Sequence, residues 1–146
     1  MLIASTDIVT VANGVKAPYN INTMTSEVVL HAIKRYDTVA KGIKQVINER
    51  VRVAQELQSC SGVEKVYPSQ TNFLLFKISH KSLAKRVYTR MASLGVLIRN
   101  RSTELHCKGC LRVTIGTQEM NNAFLTAFRT AMEEVTDVSF EKSALC

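Results

Sequence analysis

The sequence contains no tryptophan, only two prolines and only six glycines. Its four tyrosines and five phenylalanines are too few for a base-stacking platform, which argues against single-stranded nucleic acid as a partner. Lysine and arginine are spread along the chain and never form a block of five or six. No apolar run approaches the ~18 residues of a membrane span, and no signal-length apolar stretch follows a basic start. Internal repeats and low-complexity segments are absent as well. The expectation is a cytoplasmic protein with reduced thiols, binding neither membrane nor nucleic acid. An organelle address stays open if the natural N-terminus lies upstream of Met1.

The 146 residues have the length of one domain, and a 46% hydrophobic content is enough to bury a core. The formal charge of +7 favours anionic partners such as phosphorylated metabolites and carboxylates. A solvated basic surface gives the same number, and a stand-alone basic domain that binds anions or nucleic acid is a competing reading.

Apolar periodicity sets the expected element order. "MLIAST" reads as a strand, and the segment around Asn13-Gly14 and Pro18 as a turn-bounded element followed by an extended linker. Thr25, Ser26 and Glu27 supply caps and a first-turn acid for a helix running to about Cys60. Its stripe is Ile43, Val46, Ile47, Val51, Ala54 and Leu57, and Gly42 weakens it, so one kinked helix or two stacked helices are expected. Strands follow at "VEKVY" and "NFLLFKI", then a helix from His80 to Leu94 closed by Gly95. "VLIRN" and "CLRVTIG" read as two more strands around a polar loop. Thr117 caps a last helix whose stripe is Met120, Phe124, Ala127, Phe128 and Ala131, and no strong pattern follows Val135. Helices gathered on one face of a mainly antiparallel sheet make an α+β fold.

Two features of "HCKGCLRVTIGT" compete for a functional role. Cys107 and Cys110 have the spacing of a zinc or redox pair, with His106 beside them. A structural zinc site takes four ligands, and here there is one pair, with His31 and His80 isolated. A redox pair draws a low thiol pKa from a helix N-terminus, and this one leads into a strand. The spacing therefore favours incidental thiols and no metal site. Arg112 is different. It sits between the apolar residues Leu111, Val113 and Ile115 and points to the opposite face with Thr114. A charge in mid-strand needs a partner or a solvent-lined site. Guanidinium forks onto carboxylate or phosphate, and a strand holds the fork still. Arg99 ends the neighbouring strand by the same logic. Both arginines converging on one anionic small molecule is one reading. Ion pairing with acids such as Glu104 or Glu119 is the other, and spacing does not separate them.

"KAPYNINTMTSE", "YPSQTNFLLFKI", "GVLIRNR" and "GCLRVTIGTQEMNNAFLTAF" stand in an order and at distances that resemble the histidinol-phosphate aminotransferase family, over nearly all of residues 1–134. The resemblance implies the small C-terminal domain of a pyridoxal-phosphate enzyme of the aspartate aminotransferase fold. It implies a large-domain remnant and linker over 1–24, a long interdomain helix over 25–60, the small domain over 61–135 and a tail over 136–146. Arg112 matches the arginine that holds the substrate carboxylate, and Arg99 one that helps hold the substrate phosphate. Tyr19 and Asn20 match the linker near the mouth of the site, and Asn72 a structural strand-start position. The implied substrates are a phosphorylated amino compound and glutamate or 2-oxoglutarate, and the implied assembly is a homodimer; the alternative within the same fold is the small domain of a related pyridoxal-phosphate aminotransferase or decarboxylase acting on another substrate.

The same resemblance puts the lysine that holds pyridoxal phosphate, and the other cofactor-binding groups, ahead of Met1. No lysine here lies in such a motif, so no catalytic, cofactor-binding or metal-binding residue is expected in this chain, and no cofactor is expected bound to it. The chain alone should not transaminate. Apolar residues of the opening segment would lack their partner domain and should meet another copy of the chain. Light scattering on a size-exclusion peak is expected to show self-association, and a clean monomer would count against it.

Overall fold

The computed structural model describes the backbone of residues 3–17 and 21–143, and the side chains of these except 81 and 137–143. It divides into two compact units, Met1–Ala40 and Lys41–Cys146. Among the described residues, no helix is long and apolar enough to cross a membrane.

The first unit is helical. Helix α1 spans Thr6–Val15 and α2 spans Thr23–Lys34. The expected opening strand is not there: Ile3 to Ser5 carry no strand, and the helix starts at Thr6. Ile8, Val11 and Val15 recur at three and four, so the helical period prevails over β-branched propensity. Asn13-Gly14, read as a turn, falls inside the last turn of α1. Helix α2 is capped earlier than expected, by Asn22, whose Oδ1 accepts from the Thr25 amide at 2.8 Å. Pro18, Tyr19 and Asn20 lie outside the described residues.

Helix α3, Tyr36–Gln58, begins after a break at Arg35, where φ is −108° and ψ 34°. The interruption is therefore not at Gly42, which sits within α3 with open space where a Cβ would be. Within the second unit the expected stripe divides: Leu57 is fully buried, Val46 and Ala54 are partly buried against the core, and Ile43, Ile47 and Val51 are exposed. Val53, outside that stripe, is fully buried.

Four strands follow: β1 (Val63–Val66), β2 (Phe73–Ile78), β3 (Arg99–Asn100) and β4 (Cys110–Thr114). They pair antiparallel in the order β1-β2-β4-β3. Helix α4, Lys81–Ser93, connects β2 to β3, and α5, Gln118–Ser143, follows β4. The result is the expected α+β arrangement of helices and antiparallel sheet. Strand β3 is two residues long where "VLIRN" predicted five, and Leu97 stays 81% exposed. As an edge strand it finds ladder partners only in Arg112 and Leu111. Helix α4 closes as predicted at Gly95, whose φ is +81°, with the Val96 amide donating to the Met91 carbonyl at 3.0 Å. Helix α5 runs on to Ser143, beyond the sequence pattern.

One sheet face is apolar. Leu74, Phe76 and Ile78 of β2 alternate with half-buried residues, and Leu111 and Val113 of β4 pair with Phe76 and Leu74. Against them pack Val53 and Leu57 of α3, Ala84, Val87 and Met91 of α4, and Phe124, Phe128 and Ala131 of α5, in one core. Phe76 meets Phe128 edge-on at 5.5 Å between centroids, and Phe124 stacks on Phe128 at 6.0 Å. Met120, expected in this stripe, is exposed, while Leu125 and Met132 are buried.

A polar knot joins α3 to α5. Glu49 is 8% exposed and accepts from Arg52 at 2.9 and 2.7 Å and from the Asn121 amide at 2.8 Å. Asn121 also accepts from the Gly116 amide at 3.0 Å, which fixes the turn from β4 into α5. The Arg52 and Asn121 hydrogen bonds hold the Glu49 carboxyl below its ordinary value of 4.5, against the opposing effect of burial. A carboxylate with a depressed folded pKa contributes stability at neutral pH and loses it as pH falls below 4.5. Glu49→Gln is expected to cost about 1–3 kcal/mol at pH 7 in denaturant unfolding. The gap to the unmodified chain should close toward pH 3, and a pH-independent gap would contradict this account.

Candidate functional site

Strand β4 turns one side to the core and the other to solvent. Alternation sends Arg112 and Thr114 away from Leu111, Val113 and Ile115. The register pairs Arg112 with Leu75 on one side and with Arg99 on the other. Residues directly opposite in an antiparallel ladder share a face, so both arginines project from the same face. Together with Tyr88, Leu97, Ile98 and Thr114 they line a cavity of about 370 Å³. Two like charges opposite one another are unfavourable unless something anionic lies between them.

Neither glutamate considered from the sequence neutralises Arg112. Glu104 pairs with Arg101. The Glu119 carboxylate accepts from its own backbone amide and from Thr117, which lowers its pKa. Among the described residues, no carboxylate lies within ion-pair distance of Arg99 or Arg112. The Arg112 Nε is buried without a hydrogen-bond partner there. Its guanidinium carbon stands 5.0 Å from the centre of the Phe73 ring. The arrangement can take up an anion with two charges in fixed relation and no acid to compete.

Three participants escaped the sequence reading. Tyr88 of α4 packs against the core and also lines this cavity. Phe73 read as an ordinary strand residue. Its place diagonal to Arg112 follows only from the register, in which Phe73 pairs with Thr114. Leu97, in a segment expected to be strand, forms an exposed rim.

Cys107 lies in the loop between β3 and β4, and Cys110 is the first residue of β4. The Cys110 amide donates to the Cys107 carbonyl at 2.9 Å, closing a tight turn with Gly109 at φ +76°. A Cβ on Gly109 would come 2.7 Å from the Ile78 carbonyl oxygen, so the turn requires glycine. Cys110 is 1% exposed, and burial, with Cys107 nearby, pushes its thiol pKa up, opposite to a reactive thiolate. Among the described residues, no group of three or more His, Cys, Asp or Glu is placed to hold a metal ion. Iodoacetamide at pH 8 is expected to modify half-buried Cys107 well before Cys110, read by peptide mass. Faster labelling of Cys110 would show its thiol to be activated.

Residues 1–128 match the model of the family described as aminotransferase class I and II. Histidinol-phosphate aminotransferase of Flavobacterium psychrophilum is 39% identical over 129 residues, covering 88% of this chain and 36% of that protein. The chain thus spans little more than a third of the length of the curated relatives it matches. The solved histidinol-phosphate aminotransferase of Clostridium acetobutylicum superposes with a TM-score of 0.77 at 18% identity, over 88% of this chain and 38% of that one. That of Sinorhizobium meliloti, solved in complex with pyridoxal-5'-phosphate, gives 0.75 at 17% identity, over 88% of this chain and 35% of that one. At such identities the two structures establish a common fold, and the family match over residues 1–128 carries the assignment: the chain belongs to the class I and II aminotransferases.

Proposed function

We propose that this chain is the substrate-gripping part of a pyridoxal-phosphate-dependent histidinol-phosphate aminotransferase. The full enzyme would exchange an amino group between L-histidinol phosphate and 2-oxoglutarate, giving imidazole-acetol phosphate and L-glutamate. In this reading Arg112 takes a substrate carboxylate and Arg99 the substrate phosphate. The observation that carries it is the facing pair of arginines around one cavity whose lining includes no acid. Glutamate and 2-oxoglutarate bring carboxylates, and the phosphate ester brings a phosphate in their place. Two cations on one rigid face serve both substrates in turn.

Pyridoxal phosphate supplies the electron sink for amino transfer, and it needs a lysine at its aldehyde and an acid at its ring nitrogen. The six residues lining the arginine cavity include neither. This site does not fit the cofactor, and no step through the cofactor is assigned to these residues. Alone, the chain holds the anionic ends of substrates and does not transaminate. A homodimeric, cytoplasmic enzyme belongs to the same reading.

The test uses a protein that joins this segment to the cofactor-binding part. Arg112→Ala is expected to lower kcat/KM by about 30-fold or more, since breaking a hydrogen-bonded charge pair in a desolvated site costs roughly 2–5 kcal/mol. Arg99→Ala should impair turnover of the phosphate ester more than that of glutamate. A loss below about threefold for Arg112→Ala would remove the clamp assignment.

A further inference from the structure

We propose that Phe73 is the positioning residue for Arg112, holding the guanidinium in place while leaving its charge free for a ligand. The inference rests on the clamp reading above and deepens it. A half-buried arginine is ordinarily held by a carboxylate, which fixes the side chain and cancels its charge together. Here the holding group is an aromatic ring. Phe73 pairs with Thr114 and Arg112 with Leu75, so the two are diagonal neighbours on one face, a separation that aromatic and long side chains bridge. The 5.0 Å from the guanidinium carbon to the ring centre lies within the ~6 Å reach of a cation–π contact.

The ring attracts the cation through its quadrupole and carries no net charge. The guanidinium is therefore restrained without a counter-charge against it. Among the described residues the buried Nε has no acceptor, so the edge of the fork that contains it is closed off. A carboxylate is left the terminal Nη groups, which suit bidentate bonding. Phe73 can act in this way without disturbing the fold, because the aromatic core of Phe76, Phe124 and Phe128 lies on the other sheet face. An acid at this position would quench the arginine, and an aliphatic residue would leave it loose.

Succinate binding to the 146-residue chain tests the assignment, by titration calorimetry with thermal midpoints measured alongside. Phe73→Leu is expected to weaken binding about threefold to tenfold at an unchanged midpoint, and Phe73→Tyr to restore it. Arg112→Ala should abolish binding. If Phe73→Leu binds as tightly as the unmodified chain while Arg112→Ala does not bind, the positioning role is overturned and the clamp stands. If Arg112→Ala binds normally, the clamp reading fails and this inference with it. Should Phe73→Leu not fold, the NMR signal of the Arg112 Nε–H in the unmodified chain decides. A ring-shifted, slowly exchanging proton supports the contact, and an unshifted, rapidly exchanging one overturns it.

Discussion

Strand β4 has two sides, and the aromatic core accepts only one. Leu111 and Val113 are committed to it through their pairing with Phe76 and Leu74. The strand has a period of two, so a slip of one residue would bury Arg112 among phenylalanines and expose the leucine. Burying an unpaired guanidinium costs far more than the slip could recover elsewhere. The hydrophobic effect on one side of the sheet thus fixes the chemistry on the other. Arg112 is aimed by Leu111 and Val113 as much as by anything it touches.

The end of β4 carries a second constraint. The chain must leave the sheet and enter α5 without losing the position of Thr114. Asn121 does this by gripping the Gly116 amide and carbonyl with one side chain and donating to Glu49 with the same amide group. Glu49 is in turn held by Arg52 of its own helix. Core helices and strand end are joined by hydrogen bonds partly shielded from water, where such bonds are stronger than in the open.

The second unit was legible from the sequence, and the reasons are specific. Arg112 and Thr114 stand against Leu111, Val113 and Ile115 in the sequence because one face of the sheet is dry, and Gly95 and Thr117 mark helix ends by backbone chemistry that holds in any context. The first unit misled because β-branched residues at the start favour a strand locally, while the spacing of Ile8, Val11 and Val15 favours a helix. Gly42 looked like the natural break, yet the helix passes through it, since one glycine costs only about 1 kcal/mol in a long helix. In the candidate site, both arginines could be named from residue type and strand position. Their facing pairing, and the Phe73 ring beside Arg112, needed register, which no single-sequence period encodes.

The brevity of β3 has a consequence for how the cavity handles ligands. Arg112 sits in an interior strand, laddered on both sides and braced by an aromatic ring. Arg99 sits on a two-residue edge strand with a neighbour on one side only and the exposed Leu97 two residues before it. In the proposed clamp, Arg112 would be the inner end of the cavity and Arg99 its outer end at the rim. A carboxylate would be registered on the interior strand and a phosphate on the edge strand, so the two anionic ends would rest on supports of unequal depth in the sheet.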